Sequence, residues 1–420
     1  GRHRTMQSCI LLDDPNMLAL PYSRGVFAGL VANPGAKRAL VLAEVARGRG
    51  ENPEPHWQSA LQRLGPVIER YPRFLWGLND MGQIFQNNGA YFRLTGKAQA
   101  KIYIDKSISY YEAAKSLDET YLYAYQNLLG SLGDVVMLSN TEKDLQAALQ
   151  KADEIFGGCK KINIAAQQCY NNYFQVYARA AARLYLFGQD PQAALSRAVE
   201  NIAALRKIGG SFLDAEQYDG LVRLVDAASR VRKGQDPATA LAELQGALQR
   251  CFALATQDAM CRTLAAQADW VSADWLALRK QSPLASLASA LAKVTLATAS
   301  TEIYPDAWQV RAATHLRLAR AQVERPAVRD QALAAGRTAV EKVFATNPNH
   351  ALGRATLGAI LLLQAEGQEP KAERAQTAQA ATAELARAIQ LDPFLQPEYA
   401  PLLRRASELG AARLVTAAPR

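Results

Sequence analysis

From Asn33-Pro34 to about residue 410, apolar residues recur at three- and four-residue intervals in long stretches parted by short polar breaks, and no β-branched run alternates at period two. The chain therefore reads as all-α. A second, longer rhythm lies over the first. Leu149, Leu195, Leu241, Leu287 and Leu333 are 46 residues apart, as are Phe156, Ile202, Leu248, Val294 and Val340. Ala152, Ala198, Leu244, Ala290 and Gly336 fall between them. Offsets of three and seven put each set on one helical stripe, so every copy contains an amphipathic helix that buries the same face.

The breaks repeat as well. Gly188-Gln189-Asp190-Pro191-Gln192-Ala193-Ala194-Leu195 returns as Gly234-Gln235-Asp236-Pro237-Ala238-Thr239-Ala240-Leu241. The glycine ends one helix, the aspartate accepts orphan amide hydrogens of the next, and the proline fits its first turn, where no hydrogen bond is lost. Pro283 begins a third such helix, and the corner recurs as Gly50-Glu51-Asn52-Pro53 and Gly367-Gln368-Glu369-Pro370. Each corner joins the two helices of a pair. First helices are expected near 34–48, 74–95, 120–138, 166–187, 214–233, 259–280, 306–324, 350–366 and 395–410. Second helices are expected near 56–71, 102–118, 143–159, 191–207, 237–254, 283–298, 328–345 and 371–391. Residues 1–32, broken by Asp14-Pro15 and Pro21, read as an irregular arm or incomplete repeat; 33–410 as about eight helix pairs plus a C-terminal capping helix; 411–420 as a tail.

Two places resemble the tetratricopeptide (TPR) pattern of a large residue, Leu-Gly and an aromatic in the first helix, then small residues and a closing proline in the second. Ala60, Leu64, Val67 and Pro72, followed by Leu78, Met81, Gly82 and Phe85, carry it near the start; Ala381, Leu385, Ala388 and Pro393, followed by Tyr399, Leu402 and Ala406, carry it near the end. The resemblance implies a right-handed superhelical solenoid of antiparallel helix pairs. The unit here, 46 residues, is longer than the family's 34, with the extra residues around the Gly-x-Asp-Pro corner. The elongated unit, with Tyr103-Ile104-Asp105-Lys106-Ser107-Ile108 and the ending from Leu391-Asp392-Pro393 to Glu398-Tyr399-Ala400-Pro401, is similar to repeat arrays C-terminal to the catalytic domain of bacterial serine/threonine protein kinases, especially myxobacterial ones. That resemblance implies a regulatory or sensor region, with a kinase domain upstream of Gly1; the rival expectation is a stand-alone TPR adaptor of a secretion or assembly complex. The chain begins Gly1-Arg2-His3 and is expected to be a piece of something longer.

Charge alters this picture little. The net charge is +9, but the basic residues are scattered, in doublets such as Lys160-Lys161 and Arg404-Arg405 with no longer basic run, so a solvated surface is favoured over nucleic-acid binding. No apolar run reaches the ~20 residues of a membrane helix. The chain has no glycine-rich phosphate loop, His-Arg-Asp loop or Asp-Phe-Gly, so it is not itself a kinase domain. His3, His56, His315 and His350 are far apart with no Cys or carboxylate at ligand spacing, and Asp13-Asp14 suits turn duty. No catalytic site, metal or cofactor is expected.

Cys159 and Cys169 are ten apart, Cys251 and Cys261 are ten apart, and the pairs are separated by 92, twice the repeat. In each, the first cysteine ends a second helix and the other begins the next first helix, so the two face one another across a tight hairpin. Either they form disulfides, which would point to an oxidising, extracytoplasmic compartment, or they are reduced core residues in the slot held elsewhere by Leu205, Ala297 and Val343. Cys9 is left over.

In TPR arrays the first helices line the concave face, and the position three before the Leu-Gly glycine points into it. Here it reads Asn79, Gln126, Asn171, Gln217, Thr263, Gln309 and Ala355. Together with Gln83, Asn127, Asn172 and Gln175, the asparagines and glutamines of this row offer amide donors and acceptors to the backbone of an extended peptide. The expected partner is a protein or peptide in this groove, with self-association as another outcome; the plainer reading is a polar, solvated helix face. Eleven of the sixteen tyrosines lie between Tyr91 and Tyr185, mostly for packing, with Tyr121 and Tyr123 as candidate interface anchors.

Overall fold

A computed structural model describes residues 26–300, 304–369 and 371–411, with side chains from residue 34 onward. Among these residues there are seventeen α-helices and one short 3-10 helix, with no strand. They run α1 (Val26–Gly48), α2 (Glu54–Arg70), α3 (Leu75–Leu94), α4 (Ala100–Leu117), α5 (Leu122–Leu138), α6 (Glu142–Ile162), α7 (Gln167–Leu186), α8 (Gln192–Lys207) and α9 (Leu213–Arg232). The second half continues with α10 (Ala238–Leu254), α11 (Ala259–Leu278), α12 (Leu284–Thr298), α13 (Pro305–Ala321), α14 (Pro326–Thr346), α15 (Ala351–Glu366), α16 (Lys371–Leu391) and α17 (Gln396–Ala411). Odd-numbered helices are the first members of pairs. Each packs on its own second helix, on the second helix before it and on the first helices to either side, which makes a solenoid of eight pairs closed by α17.

The apolar register explains the core. Leu149, Leu195, Leu287 and Leu333 are buried, as are Phe156, Ile202, Leu248, Val294 and Val340, with Ala152, Ala198, Leu244 and Ala290 beneath them. Four corners turn on a glycine of positive φ, whereas Gly367 ends α15 with φ of -97°. Gly50, Gly96, Gly188 and Gly234 take positive φ of 74°, 69°, 76° and 70°. Asp190 accepts the amide of Gln192 at 3.2 Å and Asp236 that of Ala238 at 2.8 Å. Lys280 occupies the corresponding place after α11 and also has positive φ, 58°.

One boundary differs from expectation. The first helix starts at Val26, not near residue 34, and carries Pro34 within it. A proline costs a helix one amide and crowds the preceding turn, and here the helix continues through it. The remainder of the expected arm, with Cys9, and the 412–420 part of the expected tail lie outside the described residues.

The solenoid also curls onto itself. Asn347 Nδ2 donates to the Leu94 carbonyl at 3.0 Å, and Asn349 Nδ2 to that of Gly96 at 3.1 Å. Arg183 at the end of α7 grips Asp392 with both terminal nitrogens, at 2.5 and 2.9 Å. Turns that open late first helices thus rest on the ends of early ones.

Candidate functional site

The face built by the first helices of the early pairs carries most of the expected site residues. Consecutive first helices lie side by side, so a side chain on this face either meets the neighbouring helix or looks outward. Asn79 and Asn171 do the former and are buried. Asn127 Nδ2 donates to Asn79 Oδ1 at 2.9 Å, and Asn171 Nδ2 to Asp214 at 3.0 Å. Gln175 donates to the same Asp214 oxygen at 2.6 Å, Asn172 to the Gln126 carbonyl at 2.7 Å, and Gln217 to Asp258 at 2.8 Å. Later in the row Gln309 donates to Thr356 at 3.1 Å, while Thr263 turns back on the Ala259 carbonyl at 2.7 Å. Except at Thr263, the row is first of all a seam that fastens one unit to the next. An amide suits it because one group supplies both donor and acceptor at neutral charge.

Charged groups reinforce the seam. Asp134 on α5 receives Arg93 at 3.4 Å and Arg179 at 3.2 Å, and Arg179 donates to the Tyr218 oxygen at 2.9 and 2.7 Å. Burial alone would weaken the Arg179 cation, but Tyr218 and Asp134 outweigh it and its pKa rises. Sequence reasoning missed Arg179 and Asp134. The 45-residue spacing between them was available as a signal, being one repeat unit less a residue.

Where the seam opens, a cavity of about 580 Å³ remains between α1, α3 and α5. Leu40, Val41, Val45 and Glu44 line it from α1, and Gln83, Gln86, Asn87 and Asn127 from α3 and α5. Of the expected groove residues, the structure brings Gln83 and Asn127 together here. Gln86 is fixed by the Tyr111 hydroxyl, which donates to its Oε1 at 2.8 Å. Val41 and Val45 are exposed at 63% and 43%. The cavity offers amides for a backbone and an apolar wall for a side chain. At the entrance to α3 and α5, Trp76 and Tyr123 are exposed at 53% and 62%, 47 residues apart in equivalent places. Tyr121 lies against Tyr123 with ring centroids 5.7 Å apart; burial, then Asp80 and Tyr123, pushes its pKa up to about 12.

Both cysteine pairs meet where the spacing puts them. Cys159 faces Cys169, and Cys251 faces Cys261, each with Cα atoms 6.6 Å apart and all four residues buried. That separation lies within the span of a disulfide. Asp258 joins the second pair, its donor atom within 4.8 Å of both sulfurs. Its oxygens are already engaged, Oδ1 by the Cys261 amide at 2.8 Å and Oδ2 by Gln217. It acts as the cap of α11.

No family model matches the chain, and no curated protein does. Among solved structures it is similar to a tetratricopeptide repeat protein from Parabacteroides merdae, at 11% identity over 78% of this chain and 99% of that one, with a TM-score of 0.45. It is also similar to yeast Tom70, at 12% identity over 98% of each chain and a TM-score of 0.31. A third is the TPR2AB domain of yeast Sti1, solved as its pHSP90 complex, at 14% identity over 78% and 98% and a TM-score of 0.25. None of these reaches a TM-score of 0.5, and the fold class rests on the helix pairs themselves. Among the described residues no helix is long and apolar enough to cross a membrane.

Proposed function

We propose that this chain is a non-catalytic scaffold that binds an extended segment of a protein partner along the face of its early first helices. The cavity between α1, α3 and α5 carries this reading. It combines four side-chain amides with an exposed valine wall and a single carboxylate, Glu44, which pairs with Arg47 at 2.9 Å. Such a lining satisfies the backbone of an extended peptide with little dependence on its sequence and holds one apolar side chain. It contains no group poised for general acid-base or nucleophilic work. Within this reading the chain serves as the regulatory repeat region of a bacterial serine/threonine kinase, a placement supported by the Gly-x-Asp-Pro corners and the Leu391-Asp392-Pro393 ending.

The test uses Gln83→Ala combined with Asn87→Ala, because both residues line the cavity. Binding to a displayed library of unstructured peptides should weaken while the helical melt is unchanged; equal binding by the variant and the natural chain would reject the groove. The coding sequence upstream of Gly1 decides the kinase placement, and a stand-alone adaptor has no kinase there.

A further inference from the structure

The repeat logic accounts for contacts between neighbouring units, but not for those that join units several places apart. Arg183 is buried at the end of α7, and its guanidinium holds Asp392, which belongs to the turn between α16 and α17. Arg183 Nη2 also donates to the Ser139 carbonyl at 2.8 Å, which fixes it to the end of α5. The same guanidinium lies 4.2 Å from the centre of the Phe394 ring. Phe394 is 1% exposed, packs with the α5–α9 core, and meets Phe187 with ring centroids 4.9 Å apart. Pro397 sits against Gly188, where an added Cβ would be 3.5 Å away. One unit earlier, the Asn347-Pro348-Asn349 turn rests on Leu94 and Gly96 through two amide donors. Asp306 lies near Arg93 on the same border, close enough for the two charges to interact.

We propose that the Asp392-Pro393-Phe394 turn is a releasable latch, which closes the solenoid by seating Phe394 and Asp392 on the end of α7, and that the Asn347–Asn349 contact opens and closes with it. Its chemistry suits release. A buried ion pair held by hydrogen bonds gives orientation more than net stability, because both charges are stripped of water. The apolar contacts at this border are those of Phe394 and of Pro397 with Gly188, a few side chains rather than a helix face. Within the units, by contrast, whole helix faces are buried. The continuous core through consecutive helices therefore holds more firmly than this closure, and the chain should open at the latch before any pair unfolds. Because the latch joins α7 to α17, opening changes the span of the face that the first helices present without breaking the repeat.

Hydrogen exchange on the unaltered full chain is the primary test. Segments 92–97, 183–189, 346–350 and 392–397 should exchange through one shared opening, about tenfold or more faster than the interiors of α5 to α8. If they exchange only when those helices do, the latch is wrong. The second test is Arg183→Met with Asp392→Asn, which removes both charges and keeps the shape. The radius of gyration in solution scattering should rise at unchanged helicity, and protection at 92–97 and 346–350, which neither substitution touches, should fall with it. An unchanged radius, or loss of protection confined to 392–397, overturns the proposal. Should the variant lose helicity, exchange in the unaltered chain decides alone.

Discussion

Asn127 donates to Asn79 across 2.9 Å, joining α5 to α3 at a position where the sequence alone points to a ligand. Asn79 is buried, so removing its carbonyl takes away the acceptor that fixes the Asn127 amide and leaves a gap between the two helices. Asn79→Ala should destabilise this junction by about 1–2 kcal/mol, whereas Gln83→Ala, one turn on and facing the cavity, should stay within about 0.5 kcal/mol. Hydrogen exchange in α3 and α5 distinguishes them. Equal effects would mean that the seam and the cavity are not separate.

Lys280 has a φ of 58° in the place that Gly188 and Gly234 fill with φ of 76° and 70°. A side chain in this region costs roughly 1–2 kcal/mol through crowding of its Cβ, partly offset by the greater freedom that glycine has when unfolded. Lys280 is exposed. Lys280→Gly should therefore stabilise the α11–α12 corner by about 1 kcal/mol, raising the melting temperature. A fall would show that the lysine side chain matters more than its backbone.

Cysteine chemistry gives a third test. Protein made under oxidising conditions should show its two repeat-spaced pairs, Cys159–Cys169 and Cys251–Cys261, as masked thiols that reductant releases together with a loss of stability. Each pair encloses a sequence separation of ten. Closing so short a loop restricts the unfolded chain by roughly 2–3 kcal/mol, which is the loss expected per pair. Free thiols at all four positions, with no effect of reductant, would leave them as core residues and remove the reason to favour an extracytoplasmic setting.

His350 begins α15 and couples it to α13. Its Nδ1 accepts the Gly353 amide at 3.0 Å while its Nε2 lies 2.8 Å from Asp306 Oδ1. His350→Ala should cost about 1 kcal/mol by removing the cap, and His350→Ser should restore most of it; exchange at the first amides of α15 reports both.

Asp306 supplies the acid limb of the same contact. Burial alone would raise its carboxyl pKa, but the hydrogen bond from His350, with the Arg93 charge behind it, holds it below the ordinary value. The unfolded chain thus takes up this proton first. The stabilisation is complete above the unfolded carboxylate value, about 3.9, and is lost as pH falls through the lower native one. Asp306→Asn should flatten the decline in melting temperature over that acid range and leave neutral behaviour nearly parallel. An unchanged acid slope would mean the pair contributes nothing.

The sequence made the fold legible because a solenoid writes the same packing problem many times. Leu195, Leu241 and Leu287 share a neighbourhood, and the 46-residue interval reveals it without any knowledge of the partner helix. The same interval placed the cysteine pairs and could have flagged Lys280 as a residue in a glycine's place. The site was less legible for a geometric reason. A polar residue on a first helix can face either outward or toward the next first helix, and residues one turn apart on the same stripe can differ in this, so Asn79 and Gln83 look alike in the sequence while one is a fastener and the other lines a cavity. Arg183 and Asp392 were invisible in a different way. They are 209 residues apart, a distance that is not a whole number of units, so no periodic signal connects them.

A stack coupled only to its nearest neighbours can fray from either tip, each lost unit exposing the next. The Asn347–Leu94 and Arg183–Asp392 contacts turn the stretch between them into a loop. A loop has no tip. While it is closed, the middle units cannot peel away one at a time, and heat or protease must first undo the closure, so the end of α7 sets the order in which the molecule comes apart.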